Sequence, residues 1–338
     1  MTSREQEDIR AVAELPYDWA RLTGKTLMIS GGTGFIGSFL IDVLRYRNAR
    51  YHQNIRAVSL SRRGGESDGT VTCLAADITS PIVYDGPVDC VLHLASNTHP
   101  QQYASDPVGT ITTNVLGCQQ LLHFAAERGA KRFLLASSVE IYGQGIPEPV
   151  DEQYSGYIDC NQARSGYNEA KRTCEALCQA YRQQYGIEAV IARLSRVFGA
   201  DKKQDTKALS QFMSKAVAGE DIVLKSRGAQ RYSYCYVADA VSALLLLLLD
   251  GADGEAYNVA DADDGSTLGG LAERIAALAG TQVVYQIAED AAASRATYAL
   301  LSTDKIARLG WRPLYTVAEG LARTFAIYRE RNAAQPER

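Results

Sequence analysis

Tyr167 and Lys171 form the residue pair with the clearest chemical potential, four positions apart in the segment SGYNEAKRTCEAL. Helical spacing of four places both side chains on one face, one turn apart. A free tyrosine has a pKa of about 10, and a nearby ammonium lowers this pKa because it favours the phenolate. The phenolate could then take a proton from a substrate alcohol while a hydride leaves the same carbon. The alternative is an exposed tyrosine beside a solvated lysine, since this spacing is common by chance.

Two adjacent serines, Ser137 and Ser138, precede this pair and end the apolar part of the segment LLASSVEIYG. Ligands of a doubly wound sheet bind at the carboxyl ends of its strands, so either hydroxyl could hold a substrate oxygen. The alternative is that the serines only end a strand. We predict a substrate-binding role for both and a catalytic one for Ser138.

A glycine-rich loop, GGTGFIG, follows the apolar run TLMIS and precedes the helical pattern SFLIDVLRYR. Glycine suits a tight turn, the approach of a pyrophosphate to bare backbone, and close packing of helix on strand. The helix N-terminus then offers free N–H groups to phosphate. Ordinary turn glycines in a β-α connection are the alternative. The predicted dinucleotide-binding residues of this loop are Gly31, Thr33, Gly34, Phe35, Ile36 and Gly37.

The end of the second strand normally distinguishes NAD from NADP, because an acid there binds the ribose hydroxyls whereas an arginine accepts a 2′-phosphate. Ser61, Arg62 and Arg63 occupy this place, and the first acid is Glu66. The pattern favours NADP, with a solvated loop and bound NAD as the alternative.

The segment AADIT, after the third apolar run, continues this side of the predicted site. Asp77 is placed to meet the adenine ring, with Ile78 beside it, unless Asp77 only caps a helix.

The elements that position these residues alternate between apolar runs and helical patterns through roughly the first 200 residues. This alternation predicts an α/β fold with a doubly wound parallel sheet and helices on both faces. The candidate strands are 26–30, 55–60, 71–74, 88–94, 132–136 and 189–194. The candidate helices include 110–128, 165–185 and a buried one that contains 243–249, opened by Asp239 and ended at Asp250 and Gly251.

Three regions are expected along the chain. Residues 1–24 are interpreted as an N-terminal extension, with one helix and a tether. Residues 25–196 form the dinucleotide-binding domain. Residues 197–338, where loops separate short helices, form mainly a smaller substrate-binding domain that is partly interleaved with the sheet.

Composition excludes several other classes of protein. The 338 residues carry 35 basic and 39 acidic side chains, a balance without the basic footprint of a nucleic-acid-binding protein. The longest apolar run, 243–249, is far shorter than the about 20 residues of a membrane helix. The N-terminal MTSREQEDIR lacks the apolar core of a signal peptide. We therefore expect a soluble, cytoplasmic protein.

Cysteine and histidine usage supports this view. The seven cysteines form no CxxC pair, which indicates reduced thiols. The four histidines are too dispersed to suggest a zinc site, and we predict no metal; they are His52, His93, His99 and His123.

In chain order, GGTGFIG, HLAS (93–96), TNVLG, SSVEIYG and YNEAK resemble the motifs of the extended short-chain dehydrogenase/reductase family. The closest branch is that of the nucleotide-sugar epimerases and dehydratases, including decarboxylases. The resemblance continues to LGWRPLYTVAEGL (309–321) and covers nearly the whole chain. It implies a Rossmann domain with a smaller C-terminal substrate domain, bound NAD(P), and a nucleoside-diphosphate sugar as substrate. It also implies a homodimer through a four-helix interface built from 110–128 and 165–185.

The resemblance assigns roles residue by residue. Ser138, Tyr167 and Lys171 match the catalytic trio, which oxidises the sugar, usually at C4, before epimerisation, dehydration or decarboxylation. Glu140 stands where several dehydratases and decarboxylases carry a glutamate that can move a second proton; alternatively, it binds a sugar hydroxyl or a loop amide. The further cofactor-binding residues implied are Leu94, Ala95, Ser96 and Asn114.

The chain also departs from the family pattern. Arg196 stands where asparagine is usual in RLSRVFG (193–199). Tyr232 replaces the arginine that contacts the diphosphate, and Arg231 lies one residue earlier, which in a strand reverses the face. We expect the diphosphate to be bound by Arg196, Arg231 or a lysine of DKKQDTK, with Tyr232 also in the substrate site.

Two other functions remain open from the sequence. An NADP-dependent carbonyl or ketosugar reductase would use the same three catalytic residues without a second step. A dinucleotide-binding sensor would need only the glycine loop, so the presence of Ser138, Tyr167 and Lys171 argues against it.

Overall fold

A computed structural model describes residues 1–96, 105–143, 145, 148–202, 207–262, 265–287 and 298–334. Its centre is a seven-stranded sheet in the order β11-β6-β5-β4-β1-β2-β3, and every pairing in it is parallel. The strands are β1 (Thr26–Ser30), β2 (Arg56–Ser61), β3 (Val71–Ala75), β4 (Cys90–His93), β5 (Arg132–Ser138), β6 (Glu188–Leu194) and β11 (Ala256–Val259).

The six strands expected from the apolar runs all lie in this sheet, which confirms the predicted fold class. The seventh strand, β11, was missed and comes from beyond residue 197. Its sequence AYNV is short and contains Asn258, and asparagine is uncommon in β-strands. Asn258 is fully buried because its side-chain amide donates to the Val150 and Ser302 carbonyls, each at 3.0 Å. Tertiary contacts therefore decide this strand.

Helices cover both faces of the sheet, as parallel strands require. Alternate residues of β1 show the two layers: Leu27 and Ile29 face one core cluster and Met28 faces the other. The helices are α1 (Ser3–Ala13), α2 (Phe35–Tyr51), α3 (Pro107–Glu127), α4 (Ser165–Tyr185), α5 (Ala208–Val217), α6 (Val237–Asp250), α7 (Leu268–Ala279), α8 (Asp304–Arg308) and α9 (Val317–Ala333).

The buried helix α6 begins two residues earlier than predicted. Asp239 lies inside its first turn, and its carboxylate accepts a hydrogen bond from the Leu314 backbone N–H at 2.5 Å. Asp239 therefore links α6 to the segment that precedes α9, and it is not the residue at which the helix begins. The end at Asp250 is as expected.

The first 24 residues, predicted to be an N-terminal extension, pack into the main core. Helix α1 lies against α2, α6 and α9, and Ile9, Val12 and Trp19 are buried there. Asp8 on α1 is buried as well, and accepts hydrogen bonds from Tyr236 Oη at 2.7 Å and Arg323 Nε at 2.5 Å.

The second half of the chain adds three small parallel strand pairs beyond the sheet. These are β7 (Arg196–Phe198) with β10 (Tyr234–Tyr236), β8 (Ile222–Leu224) with β12 (Val283–Tyr285), and β9 (Arg231–Tyr232) with β13 (Tyr298–Ala299). Strand β7 follows the carboxyl end of β6 after a single residue, so this layer starts at the sheet edge where ligands bind. None of the helices in the described ranges combines the length and hydropathy needed to cross a bilayer.

Candidate active site

The glycine loop between β1 and α2 is so tightly folded that a side chain would not fit at two of its glycines. Gly31 has φ +75°, and a Cβ there would lie 2.9 Å from the Ala95 backbone nitrogen. A Cβ at Gly37 would lie 2.3 Å from the Gly31 carbonyl oxygen. Gly34 caps α2 without a side-chain hydrogen bond, so the first-turn N–H groups, including those of Phe35 and Ile36, can face a phosphate. The loop therefore fits a dinucleotide pyrophosphate.

His93, at the end of β4, also supports this loop, although it was not among the predicted site residues. His93 Nδ1 lies 2.8 Å from Ser30 Oγ, and Ser30 Oγ accepts a hydrogen bond from the Ala95 N–H at 3.2 Å. Burial, followed by the repulsion of Lys171, lowers the pKa of His93 to about 3. The imidazole is therefore neutral near neutral pH and orients the Ser30 hydroxyl, which in turn binds the Ala95 backbone.

Asn114 and Ser96, two of the predicted cofactor-binding residues, contact each other at the same edge. Ser96 Oγ donates to Asn114 Oδ1 at 2.8 Å, and the Asn114 amide donates to the Thr110 carbonyl at 2.8 Å. Asn114 is fully buried, so the end of β4 and the middle of α3 are joined by a satisfied polar contact.

The adenosine side of the predicted site lies at the ends of β2 and β3. Ser61 Oγ donates to the Gly64 carbonyl at 2.9 Å and closes a turn, while Arg62 and Arg63 are exposed. Asp77 accepts hydrogen bonds from Thr79 N at 3.0 Å and Thr79 Oγ1 at 2.8 Å.

These bonds, followed by the charge of Arg62, lower the pKa of Asp77 below its ordinary value. Asp77 thus closes a local turn and does not cap a helix. The neighbouring Ile78 is buried, and a Cβ at Gly117 would come within 2.6 Å of its Cδ1, so this segment also packs on α3.

Tyr167 and Lys171 lie on one face of α4, and both are buried, with 5% and 2% of their surfaces exposed. Lys171 Nζ donates to the Ala136 carbonyl of β5 at 2.9 Å and lies 5.8 Å from the centroid of the Tyr167 ring. This contact anchors the ammonium to β5 at Ala136, which precedes Ser138 by two residues. The solvent-exposed alternative for the pair is therefore wrong.

Ser138 and Ser137 point in different directions, because side chains alternate along a strand. Ser138 Oγ accepts a hydrogen bond from the Glu140 N–H at 3.2 Å and caps a short 3₁₀ helix, Val139–Tyr142. Ser137 Oγ instead donates to Glu175 Oε1 at 2.5 Å and is buried. Ser137 is therefore bonded to α4 and Ser138 is not, while substrate binding by either serine stays a prediction.

An ion pair between Arg193 and Glu175 joins β6 to α4 near these residues, and it was not predicted from the sequence. Arg193 Nη2 lies 2.7 Å from Glu175 Oε2, and both side chains are only 12% exposed. Arg193 Nη1 also donates to Tyr142 Oη at 2.9 Å. One signal was available, because Glu175 follows Lys171 by the same four-residue step that separates Lys171 from Tyr167.

Glu140 meets Arg196 across the site. Arg196 Nη2 lies 3.4 Å from Glu140 Oε1, and the Glu140 carbonyl accepts a hydrogen bond from the Asn168 amide at 2.7 Å. The Arg196 guanidinium carbon lies 3.6 Å from the centroid of the Tyr232 ring.

The other predicted anion-binding groups have surroundings of their own. Arg231 Nη2 is 4.0 Å from the position that a Cβ on Gly265 would take. Lys202 Nζ lies 3.8 Å from Asp42 Oδ2 on α2, and Lys207 precedes α5. Lys203 lies outside the described residues.

All seven cysteines are free thiols. Within the described ranges no three His, Cys, Asp or Glu side chains come together as metal ligands. His99 lies outside those ranges.

Known proteins resemble this chain in sequence and in fold. The sequence profile of the NAD dependent epimerase/dehydratase family matches residues 27–260. UDP-glucuronic acid decarboxylase 5 from Arabidopsis thaliana is 33% identical over 304 residues, covering 87% of this chain and 86% of that protein.

Two solved structures share the fold. UDP-glucose 4-epimerase from Thermotoga maritima, solved with UDP-glucose, has a TM-score of 0.76 and 21% identity, covering 92% of this chain and 100% of that chain. A dTDP-glucose 4,6-dehydratase from Streptomyces venezuelae, solved with NAD, has a TM-score of 0.77 and 24% identity, covering 91% of this chain and 98% of that chain.

Proposed function

Because the chain belongs to the NAD-dependent epimerase/dehydratase family, we propose that it oxidises a nucleoside-diphosphate sugar at C4 and rearranges the resulting ketosugar. One observation carries this proposal. Lys171 and Tyr167 are buried on one face of α4, and Lys171 is anchored to Ala136, beside Ser138 and at the sheet edge that holds the glycine loop. A protein that only binds a dinucleotide has no use for this arrangement.

Each residue of the trio has a role that follows from its position. The Tyr167 oxygen takes the proton of the C4 hydroxyl, and the Lys171 ammonium stabilises the negative charge involved. Ser138, whose backbone position is set by β5, holds the same hydroxyl by a hydrogen bond. A nicotinamide dinucleotide, held by the glycine loop, supplies the hydride acceptor for this oxidation and the donor for any later reduction.

For the second step we propose decarboxylation, the reaction named for the curated relatives. In a 4-keto hexuronate the ketone is β to the C6 carboxylate. When the C5–C6 bond breaks, CO₂ leaves and the electron pair moves onto the C4 oxygen as an enolate. A proton then adds at C5 to give a 4-ketopentose. Glu140, which follows Ser138 and faces Arg196, is positioned to handle this second proton.

Product analysis tests this function. The protein is incubated with NAD or NADP and a panel of UDP-, GDP-, dTDP- and CDP-sugars that includes UDP-glucuronic acid, and the products are weighed by mass spectrometry. We expect UDP-glucuronic acid to lose the mass of CO₂. Loss of water, or an isomer of equal mass, would point to dehydration or epimerisation instead. Net consumption of NADPH with a keto substrate would favour the reductase.

We further propose that NADP is preferred over NAD. Arg62 and Arg63 are exposed at the end of β2, and the charge of Arg62 reaches Asp77 at the end of β3. A guanidinium there can pair with a 2′-phosphate. We expect the Kd for NADP to be about tenfold lower than for NAD, and Arg62→Ala to remove most of that difference. Isothermal titration measures both, with exposed Arg329→Ala on α9 as control; equal affinities in the unaltered protein would overturn the preference.

We propose a homodimer through α3 and α4, which pack on each other along the sheet. Helix α3 exposes apolar Val108 (73%), Ile111 (42%) and Leu116 (38%). We expect a dimer mass by light scattering, and Val108→Asp combined with Leu116→Asp to yield monomers because charges at a buried interface are costly. Val83→Asp, at a valine that is 82% exposed and belongs to neither helix, should stay dimeric. A monomeric mass for the unaltered protein would refute the proposal.

A further inference from the structure

Arg196 is one of the residues at which the sequence departs from the pattern of the family it resembles, and its surroundings define a specific site. It is the first residue of β7 and pairs with Tyr234 of β10, beyond the carboxyl end of β6. Its guanidinium stacks on the Tyr232 ring and faces Glu140. The ring holds the group in place, since an arginine over an aromatic face is attracted by the ring's quadrupole.

The contact with Glu140 does not engage all the hydrogen-bond donors of the Arg196 guanidinium. The 3.4 Å separation is long for a charge-assisted pair, for which about 2.7–2.9 Å is usual. Arg196 Nη1 is buried, and none of the described residues accepts a hydrogen bond from it. A buried N–H without an acceptor is unfavourable, so this nitrogen is suited to an acceptor that arrives with a ligand.

The position of this nitrogen relative to Ser138 identifies which part of a substrate it meets. Glu140 donates its N–H to Ser138 Oγ at 3.2 Å and contacts Arg196 through its carboxylate. Glu140 thus links Arg196 to Ser138, whose hydroxyl is proposed to hold the sugar C4 oxygen. In a hexopyranose, C5 and its substituent C6 adjoin C4, whereas the diphosphate on C1 lies at the opposite end of the ring.

Shape and charge agree with a carboxylate at this place. A guanidinium presents its donors in a planar fork that matches the two oxygens of a carboxylate.

We propose that Arg196 binds the C6 carboxylate of a nucleoside-diphosphate hexuronate and thereby selects a uronate over the corresponding neutral hexose. This inference rests on the proposed function, because it places C4 of a nucleotide sugar at Ser138.

Binding to a variant without turnover tests the proposal. In a Tyr167→Phe background with dinucleotide bound, titration calorimetry compares UDP-glucuronic acid, UDP-glucose and UDP. We expect UDP-glucuronic acid to bind at least about tenfold more tightly than UDP-glucose. Adding Arg196→Gln should weaken the binding of UDP-glucuronic acid by about 30- to 100-fold, and that of UDP-glucose and UDP, which lack the carboxylate, by less than about threefold. Arg196→Lys, which keeps the charge and loses the fork, should fall between the two.

The outcomes separate this inference from other roles of Arg196. Equal losses for all three ligands would mean that Arg196 binds the shared nucleotide diphosphate, and would overturn the proposal. Unchanged binding of UDP-glucuronic acid would overturn it as well. Dinucleotide affinity and Tm report whether each variant folds; if Arg196→Gln does not fold, equal affinity of the parent for UDP-glucuronic acid and UDP-glucose still overturns it. Failure of the proposed function appears separately, as absence of turnover of every nucleotide sugar by the unaltered protein.

Discussion

Tyr167→Phe is expected to lower kcat by about 10³-fold while the Kd for the dinucleotide changes by less than about twofold. The substitution removes the oxygen that takes the C4 proton but keeps the ring, which is buried beside Lys171. Without that oxygen the hydroxyl proton has no acceptor in the oxidation step. Lys171 stays fixed by the Ala136 carbonyl, so the fold around α4 is retained.

Steady-state rates and calorimetric dinucleotide titration measure the two quantities. Tyr185→Phe is a matched control, because it makes the same change on the same helix at a residue that is 51% exposed. That variant should keep its full rate. If Tyr167→Phe turns over nucleotide sugars at the parental rate, the redox role assigned to α4 is wrong.

The second large effect is expected for Gly37→Ala, which should raise the Kd for the dinucleotide by roughly 10- to 100-fold. An added Cβ would lie 2.3 Å from the Gly31 carbonyl oxygen and 2.8 Å from the Gly32 Cα. Both are backbone atoms, so the loop between β1 and α2 must open to admit the methyl group. The N–H groups that face the pyrophosphate would then lose their alignment.

Gly69→Ala is the matched control, since a Cβ there has no neighbour within 4 Å. Its Kd and Tm should equal those of the parent. A Gly37→Ala protein with parental dinucleotide affinity would show that the close approach of α2 to the loop is not needed for binding. A lower Tm without a change in Kd would lead to the same conclusion.

The sequence alone was sufficient where the signal is local. Apolar runs bounded by turns located six of the seven strands, because strands buried on both faces read as continuous hydrophobic segments. The segment 165–185 was predicted with the bounds that α4 has. The glycine spacing and the Tyr167–Lys171 step could be interpreted for the same reason, since each depends on the geometry of one turn or one loop.

The three-dimensional fold alone determined the contacts between residues that are distant along the chain. It inserted β11 beside β6, brought Asp8 to Arg323, and placed Arg196 opposite Glu140. It also gave the neighbouring Ser137 and Ser138 different partners, Glu175 on α4 for one and the Glu140 N–H for the other. Local periodicity carries no information about which distant segments meet, because that depends on how whole layers pack and on which buried polar groups find partners.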